Sequence, residues 1–201
     1  MTNYIIRKET PDDWAATEFL TREAFWDVYR PGCDEHLIVH NLRGHEDVVE
    51  ELNHVVEFEG RIVGHIFYTR SHVFDGTVSH PTLSFGPISV LPEMQRKGVG
   101  SLLIRHTLAL AKEMGFAGVL IEGNPNYYHK FGFYAAEKHG ISMPDGVFRD
   151  VMMAIEFSPD ARPAGSIRYS DFFEVDAAQL EEFEKQFPHK VKREARSTDL
   201  G

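Results

Sequence analysis

The chain has only one cysteine, Cys33, so an internal disulfide bond has no second partner. No apolar run approaches the ~18 residues of a membrane-spanning helix, and the first residues lack the basic-then-apolar pattern of a secretory signal. The sequence also lacks the Lys-Ser/Thr of a Walker A loop and the complete G-x-G-x-x-G of a dinucleotide-binding turn. We therefore expect a cytoplasmic protein with no membrane segment and with neither of these nucleotide motifs.

Basic residues are in the minority, because 21 Lys and Arg stand against 31 Asp and Glu, which gives a formal net charge of −10. This balance disfavours nucleic acids and anionic membranes as partners, since their phosphates repel an acidic surface. It favours a cationic partner such as a free amine. The 201 residues are 42% hydrophobic and include 15 Phe, which is enough for one sizeable core.

Segments with strand periodicity alternate with segments of helical periodicity, which predicts a mixed α/β fold. Strands are expected over residues 4–8, 54–57, 62–70, 82–90, 119–122 and 151–157, with another beginning at Phe133. Helices are expected from Pro11 and over residues 34–42, 101–114 and 127–130. The first of these helices is predicted to bury Trp14, Phe19, Ala24 and Phe25.

Residues 88–100, ISVLPEMQRKGVG, are the most informative segment, since a predicted strand there runs through a glycine turn into a helix. Gly98 and Gly100 allow the backbone to approach a bulky ligand. The first N–H groups of the helix lack intrahelical acceptors and lie at the positive end of its dipole. Arg96, Lys97 and Arg105 add positive charge. The segment therefore predicts a phosphate or pyrophosphate site, although a helix start that merely needs glycine is the alternative for the two glycines alone.

The spacing Ile88-x-Val90-x-Pro92-x-x-Gln95-x-x-Gly98-x-Gly100 resembles the acetyl-CoA signature of the GNAT N-acetyltransferase superfamily. Residues 124–133, NPNYYHKFGF, resemble the later part of the same pattern, and the resemblance covers about residues 4–157. It is strongest to bacterial predicted acetyltransferases of the YhbS type. It implies an α/β (α+β) single domain with a mixed, mostly antiparallel central sheet, flanked by helices, whose central strands splay apart to admit the cofactor.

The resemblance implies a function and a set of binding residues. The function is acetyl-CoA-dependent N-acetyl transfer, made directly to a primary amine of a small molecule or peptide, with no metal. The Val90 N–H would polarise the thioester carbonyl, and the N–H groups of residues 96–101 would hold the pyrophosphate. Asn124 would bind the pantetheine arm, or else cap a short helix. The implied cofactor-binding residues are Ile88, Ser89, Val90, Gln95, Arg96, Lys97, Gly98, Val99, Gly100, Ser101, Asn124 and Tyr128.

Tyr128 lies four residues before Gly132, where the family has the tyrosine that protonates the departing sulfur. A phenol with a pKa near ~10 suits this role, and Tyr127 is the adjacent alternative. The acceptor of the amine proton is open. Glu122, at the end of a predicted strand, is the first candidate, followed by Glu57 and His65. A proton passed through water to bulk solvent needs no named base.

Other interpretations stay open at this point. A noncatalytic acetyl-CoA-binding sensor or interaction module would carry the same loop, and a longer acyl donor would differ only in cavity size. His36 and His40 have the i, i+4 spacing of metal ligands, but without an H-E-x-x-H pattern we interpret them as exposed helix histidines. Cys33 is interpreted as a packing or surface thiol rather than a nucleophile.

The C-terminal part follows a predicted linker at residues 159–163. We therefore divide the chain into a cofactor-binding domain of residues 1–157 and an extension of residues 158–201, expected to be a docked strand or helix tail. In the extension, apolar residues alternate with acidic ones. Docking of the extension on its own domain is favoured over a role as a dimer element or as a lid. A monomer or a homodimer is expected. The basic end, residues 189–196, is interpreted as a solvated terminus. The apolar residues of the extension that alternate with acidic ones are Phe172, Phe173, Val175, Leu180, Phe183 and Phe187.

Overall fold

The computed structural model describes residues 3–157, 164–169 and 175–196. The strands within these ranges are β1 (Ile5–Lys8), β2 (His54–Phe58), β3 (Arg61–Asp75), β4 (Val78–Val90), β5 (Gly118–Glu122), β6 (Tyr134–Ala135), β7 (Ile141–Ser142), β8 (Met152–Glu156) and β9 (Gly165–Arg168). The α-helices are α1 (Trp14–Phe25), α2 (Glu35–Leu42), α3 (Val99–Glu113), α4 (Pro125–Tyr128) and α5 (Ala177–Glu184). Short 3-10 turns flank several of them. No helix in the described ranges is long and apolar enough to cross a membrane.

The strands form one mixed sheet with the order β1-β2-β3-β4-β5-β8-β6. Strand β9 lies beside β3 and also pairs with β7. All pairs are antiparallel except β4 with β5 and β7 with β9. The predicted mixed, mostly antiparallel sheet flanked by helices is therefore confirmed.

Strands β4 and β5 are neighbours over a very short distance. Their register contains only Leu83 with Val119 and Ser84 with Leu120. Beyond this point β4 bulges, because two of its residues, 86 and 87, lie opposite one residue of β3, and it continues to Val90 without a β5 partner. Strand β5 meanwhile pairs with β8 along its whole length. The two strands thus separate and leave a gap in the middle of the sheet.

The sheet buries its two faces against different helices. On one face, Tyr68 of β3 packs with α3, and its hydroxyl lies 2.9 Å from Oγ1 of Thr107. Strand β3 and helix α3 approach so closely that position 64 requires glycine, since a Cβ at Gly64 would lie 2.5 Å from Cγ1 of Val99. On the other face, Phe67 forms a cluster with residues of α2, and Ser89 donates a hydrogen bond to Thr21 of α1 (3.0 Å).

Helix α1 differs from the prediction in the face that it buries. Trp14 is 40% exposed and Phe19 is 36% exposed, so the expectation that they enter the core is wrong. The buried face is largely polar, with Thr17, Leu20, Thr21 and Arg22. The reason is that the opposing sheet face is itself polar there, which periodicity of apolar residues cannot reveal.

The C-terminal part packs on the rest of the chain. Strand β9 extends the sheet through antiparallel pairing with residues 72–74 of β3. Helix α5 buries Phe183, whose ring centroid lies 5.4 Å from that of His36 and 4.5 Å from that of His40. The predicted linker at residues 159–163 and the aromatic pair Phe172 and Phe173 lie outside the described residues. The division into domains at residue 157 stays a prediction.

Candidate functional site

The turn between β4 and α3 is shaped by left-handed backbone at Arg96 (φ 59°) and Gly98 (φ 90°). A Cβ at Gly98 would meet nothing within 4 Å, so glycine serves the backbone conformation there rather than a lack of space. Gly98 caps the 15-residue helix α3, and its carbonyl accepts from the N–H of Leu102 (2.9 Å). The N–H groups of residues 99–101 precede this first bond of the helix and are therefore free to bind an anion.

Gly100 marks a close approach between α3 and its surroundings. A Cβ at this position would lie 3.0 Å from the Tyr127 hydroxyl oxygen and 3.7 Å from Cγ2 of Val90. A longer side chain would fill the space between the helix, the tyrosine and β4. The absence of a side chain thus keeps the turn accessible.

The edge of β4 is open beside this turn. The Leu91 N–H donates to the Val63 carbonyl (3.1 Å), on the side of β3. Since successive residues of an antiparallel strand point their N–H groups to opposite sides, Val90 directs its N–H into the gap, where β5 does not pair. Its carbonyl accepts from Nε2 of Gln95 (3.2 Å). Ser89, whose side chain is fully buried towards α1, contributes only backbone to this edge.

These elements enclose a cleft of about 370 Å³. The structure brings together Ile88, Val90, Gln95 and Gly100 of the predicted set in its lining. Further lining residues come from the end of α1 and the following turn, and one comes from the C-terminal part; sequence analysis missed all five. They are Ala24, Phe25, Val28, Tyr29 and Arg196.

Residues 189–196 are mostly exposed, as the interpretation as a solvated terminus expects, but Arg196 is anchored by hydrogen bonds that the sequence did not predict. Its N–H donates to the carbonyl of Asp27 (2.8 Å), and its Nη2 donates to the carbonyl of Trp26 (2.7 Å). Trp26 and Arg196 are separated by 170 residues in the sequence. No local pattern signals such a contact, which explains why the sequence did not reveal it.

The two adjacent tyrosines take different positions. Tyr127 lines the cleft itself, with its hydroxyl beside Gly100. Tyr128 is 9% exposed and packs its ring against Phe85, Phe131 and Phe133. Space for this ring comes from Gly123, where a Cβ would lie 2.3 Å from it.

The environment of each phenol changes its pKa. Burial, and secondarily the neighbouring phenols, holds the pKa of Tyr128 well above its usual range. No hydrogen bond among the described residues reaches the Tyr128 hydroxyl. Burial also raises the pKa of Tyr127, while a hydrogen bond with the side chain of Ser101 opposes this change. Tyr128 thus keeps its proton at neutral pH and has no protein acceptor for it.

Asn124 adopts the alternative considered from sequence. Its Oδ1 accepts from the Asn126 N–H (2.8 Å), which caps helix α4. The side-chain amide group remains available as a donor, since capping uses only the oxygen.

Glu122 ends β5 on the face opposite to Tyr128. Val119 and Ile121 pack in the core that contains Tyr128, whereas Leu120 packs in a second cluster with Met152. Because side chains alternate along a strand, Glu122 shares the face of Leu120. Its carboxylate is exposed and hydrogen-bonds with the phenol of Tyr169, whose pKa is raised by burial and then by this carboxylate.

The other two base candidates are engaged away from the cleft. Glu57 accepts from Nε of Arg7 (2.8 Å). His65 is fully buried, with Nε2 3.4 Å from Oε1 of Glu9. Burial opposes ionisation of Glu9, but His65, Arg43 and Thr17 together lower its pKa to about 2. Neither Glu57 nor His65 lines the cleft, and the side chains of Glu122 and Tyr128 also lie outside its lining.

The described residues contain no group of three or more His, Cys, Asp or Glu side chains that could hold a metal ion. The interpretation of His36 and His40 as exposed histidines is correct only for His40, since His36 is fully buried and its Nε2 lies 2.8 Å from Oε1 of Glu184. Cys33 is also buried. Both belong to the packing between α2 and α5.

A mixed sheet that opens between two central strands, with an anion-binding helix start at the opening, defines a class of proteins that bind a long phosphate-bearing ligand along a strand edge. The sequence model of the acetyltransferase (GNAT) family matches residues 14–133. The chain belongs to this family.

Relatives support the assignment. The uncharacterized N-acetyltransferase YjhQ of Escherichia coli (strain K12) is 35% identical over 97 residues, which are 48% of this chain and 53% of YjhQ, so the match spans about half of that relative. A crystal structure of a GNAT family acetyltransferase from Brucella melitensis in complex with acetyl-CoA has 30% identity and a TM-score of 0.71, covering 87% of this chain and 100% of that one. YhbS from Escherichia coli in complex with CoA has a TM-score of 0.76 at 23% identity, covering 86% of this chain and 93% of that one, and shows the shared fold.

Proposed function

We propose that the chain is an acetyl-CoA-dependent N-acetyltransferase that moves the acetyl group directly to a primary amine. The observation that carries this proposal is the open β4 edge, where the Val90 N–H points into a cleft that ends at the start of α3. The edge has the form of a slot for one more strand-like segment. The similar Brucella protein, which is solved with acetyl-CoA, supports the choice of ligand.

The donor would be held mostly by backbone groups. The N–H groups of residues 96–101 would bind the pyrophosphate, and the pantetheine arm would lie along residues 88–90. Asn124 offers its side-chain amide to the same arm. Lys130, whose Nζ lies 3.9 Å from the Tyr127 ring centroid, and Arg105 above Phe131 add positive charge near the turn. These cations offset the acidic character of the rest of the chain locally.

The chemistry then needs three groups. The amine nitrogen bonds to the thioester carbonyl carbon, and the Val90 N–H stabilises the oxyanion that develops. The C–S bond breaks, and the sulfur leaves as a thiol with a proton from the Tyr128 phenol. The proton lost by the amine passes to Glu122 or through water to bulk solvent.

The positions of Tyr128 and Glu122 fit this division of roles. They lie on opposite faces of β5, so the acid would serve the donor side and the base would serve an acceptor that approaches from the other face. The acceptor is proposed to be a cationic small molecule or a peptide amine, since the net charge of −10 attracts such molecules.

The proposal is tested by calorimetry with acetyl-CoA and by CoA release with a panel of polyamines, amino sugars, amino acids and peptides. We expect binding of acetyl-CoA and CoA release that depends on one amine class. A Gly100→Asp variant should lose binding, because the side chain would occupy the turn and bring a negative charge to it. Binding without CoA release for any amine would support a noncatalytic acetyl-CoA sensor, whereas no binding would refute both functions.

A further inference from the structure

The last described segment, residues 188–196, lies across the turn between α1 and α2, and we call it the C-terminal strap. Nε1 of Trp26 donates to the carbonyl of Val191 (3.3 Å). The Arg193 N–H donates to Oδ1 of Asp27 (3.2 Å), and the Arg196 N–H donates to the carbonyl of the same aspartate. The strap is thus held by a ladder of bonds to two consecutive residues.

The turn under the strap is closed by its own hydrogen bonds. Asp27 has left-handed backbone (φ 56°) and is buried. Its N–H donates to the Gly32 carbonyl (2.9 Å), and Gly32 returns a bond from its N–H to Oδ1 of Asp27 (2.7 Å). The carbonyls of Trp26 and Asp27 are therefore left to face the strap.

Buried charges fix the beginning of the strap. Nη2 of Arg22, a residue that is 1% exposed, donates to the carbonyl of Pro188 (3.2 Å) and to Glu184 (2.8 Å). Lys190 forms an ion pair with Glu23 (2.7 Å). A strap anchored along its length can place its last side chain reproducibly.

Arg196 is that last side chain, and it projects to the cleft. Its Nη2 and Nε hold the carbonyls of Trp26 (2.7 Å) and Asp27 (3.3 Å). No ion pair among the described residues involves Arg196, in contrast to Lys190. It lines the same cleft as Gln95 and Gly100 of the phosphate-binding turn. A guanidinium with no ion-pair partner among the described residues thus lines the same cleft as the turn that offers N–H groups to an anion.

We propose that Arg196 binds the pyrophosphate of acetyl-CoA together with the backbone donors of residues 96–101, so that the C-terminal strap completes the donor site. This inference rests on the proposed function. A phosphate is favoured over a carboxylate of the acceptor because Arg196 shares its cleft with the turn and not with Glu122. Arginine suits this task, since its planar fork binds phosphate oxygens while other N–H groups stay anchored.

The experiment measures binding by calorimetry for CoA, 3′-dephospho-CoA and pantetheine. Arg196→Gln should weaken CoA and dephospho-CoA about tenfold, the scale of one charge-assisted hydrogen bond, and leave pantetheine unchanged. Arg193→Gln removes the same charge three residues earlier and should leave all three affinities within about twofold. Arg196→Lys keeps the charge but loses the planar fork, so it should recover only part of the affinity that Arg196→Gln loses.

Each of the following results would overturn the inference that Arg196 binds the pyrophosphate. Equal affinity of Arg196→Gln and wild type removes Arg196 from the donor site while leaving the proposed function intact. A loss with pantetheine as well, or an equal loss in Arg196→Lys, would mean that the residue only anchors the strap. A loss confined to CoA would place the contact at the 3′-phosphate, and a change in acceptor KM alone would place it at the acceptor. Failure of wild type to bind CoA would refute the proposed function itself.

Discussion

The candidate cleft beside β4 and the joint between α2 and α5 both contain polar groups, but these groups are satisfied in the joint and, in the described part of the chain, lack partners in the cleft. In the cleft, the N–H groups of Val90 and of residues 99–101 have no hydrogen-bond acceptor among the described residues. In the joint, Glu184 receives Nε and Nη2 of Arg22 at 2.8–3.1 Å and lies 2.8 Å from Nε2 of His36. Unmet donors beside a cavity mark a place for a ligand, whereas mutually satisfied buried charges mark a structural contact.

The joint also contains a Cys-His-Glu arrangement with the order of a catalytic triad. Sγ of Cys33 lies 3.6 Å from Nδ1 of His36, and Nε2 of the same histidine lies 2.8 Å from Oε1 of Glu184. Burial, and then nearby carboxylates, raises the pKa of the Cys33 thiol well above its usual range. Burial lowers the pKa of His36 to about 4, so neither a thiolate nor an imidazolium forms near neutral pH. The burial of Cys33 and His36 and the direction of both pKa changes favour a packing role for the cluster.

Glu184→Ala should produce the largest effect, because it removes the hydrogen-bonded partner of the buried Arg22 guanidinium and leaves only Glu23, whose Oε1 lies 3.6 Å from Nη1 of Arg22. We expect a loss of about 3–5 kcal/mol in the free energy of unfolding, measured with chemical denaturant. Glu182→Ala is the matched control, since among the described residues Glu182 pairs with the exposed Lys185, and its loss should cost less than about 1 kcal/mol. Similar losses in both variants would show that the joint contributes no more than a surface ion pair.

Tyr128→Phe should lower kcat about 10²-fold while acetyl-CoA binding persists, because only the proton donor is removed. Tyr127→Phe is the control on the adjacent ring, which lines the cleft, and should change turnover less. Steady-state kinetics and calorimetry separate the two effects. The reverse ranking would transfer the role of general acid to Tyr127.

His36 should make the joint sensitive to acid. Its pKa is depressed to about 4 from 6.5, so the unfolded state binds more protons between these values and stability falls as pH falls from 7 to 5. At pH 5, protonation of His36 in the unfolded state lowers the free energy of unfolding by about 2 kcal/mol. Glu35 acts in the opposite direction, since burial raises its pKa to about 7. The measurement is therefore the difference in unfolding free energy between wild type and His36→Gln, in which Glu35 is common to both, at pH 7 and pH 5. A difference that does not change with pH would contradict the prediction.

The smallest expected effect is a difference in acetyl-CoA binding between Gly98→Ala and Gly60→Ala. Both glycines have left-handed backbone, with φ of 90° and 76°, and a Cβ at either would meet nothing within 4 Å. Each substitution should cost about 1–2 kcal/mol of stability, the usual penalty for this conformation. Only Gly98→Ala should also weaken acetyl-CoA binding, because the strain acts on the turn that presents the N–H donors. Equal affinities in the two variants would remove Gly98 from the binding site.

Much of the site follows from sequence because it is local. The strand end, the left-handed turn and the start of α3 lie within residues 88–101, so neighbouring residues decide their conformation. The same holds for the α4 segment with its two tyrosines. Glycine spacing and helix periodicity are therefore enough to predict an anion site and, through the family resemblance, its ligand.

Only the tertiary structure decided which side chains surround that turn. Arg196 reaches the Trp26 carbonyl, and Arg22 reaches Glu184, across separations of 170 and 162 residues. The polar buried face of α1, the different positions of Tyr127 and Tyr128 and the face occupied by Glu122 likewise depend on strand register and on the helix that covers each face. Periodicity identifies the residues that share a face but not the partner of that face. Contacts between distant residues arise only when the chain packs.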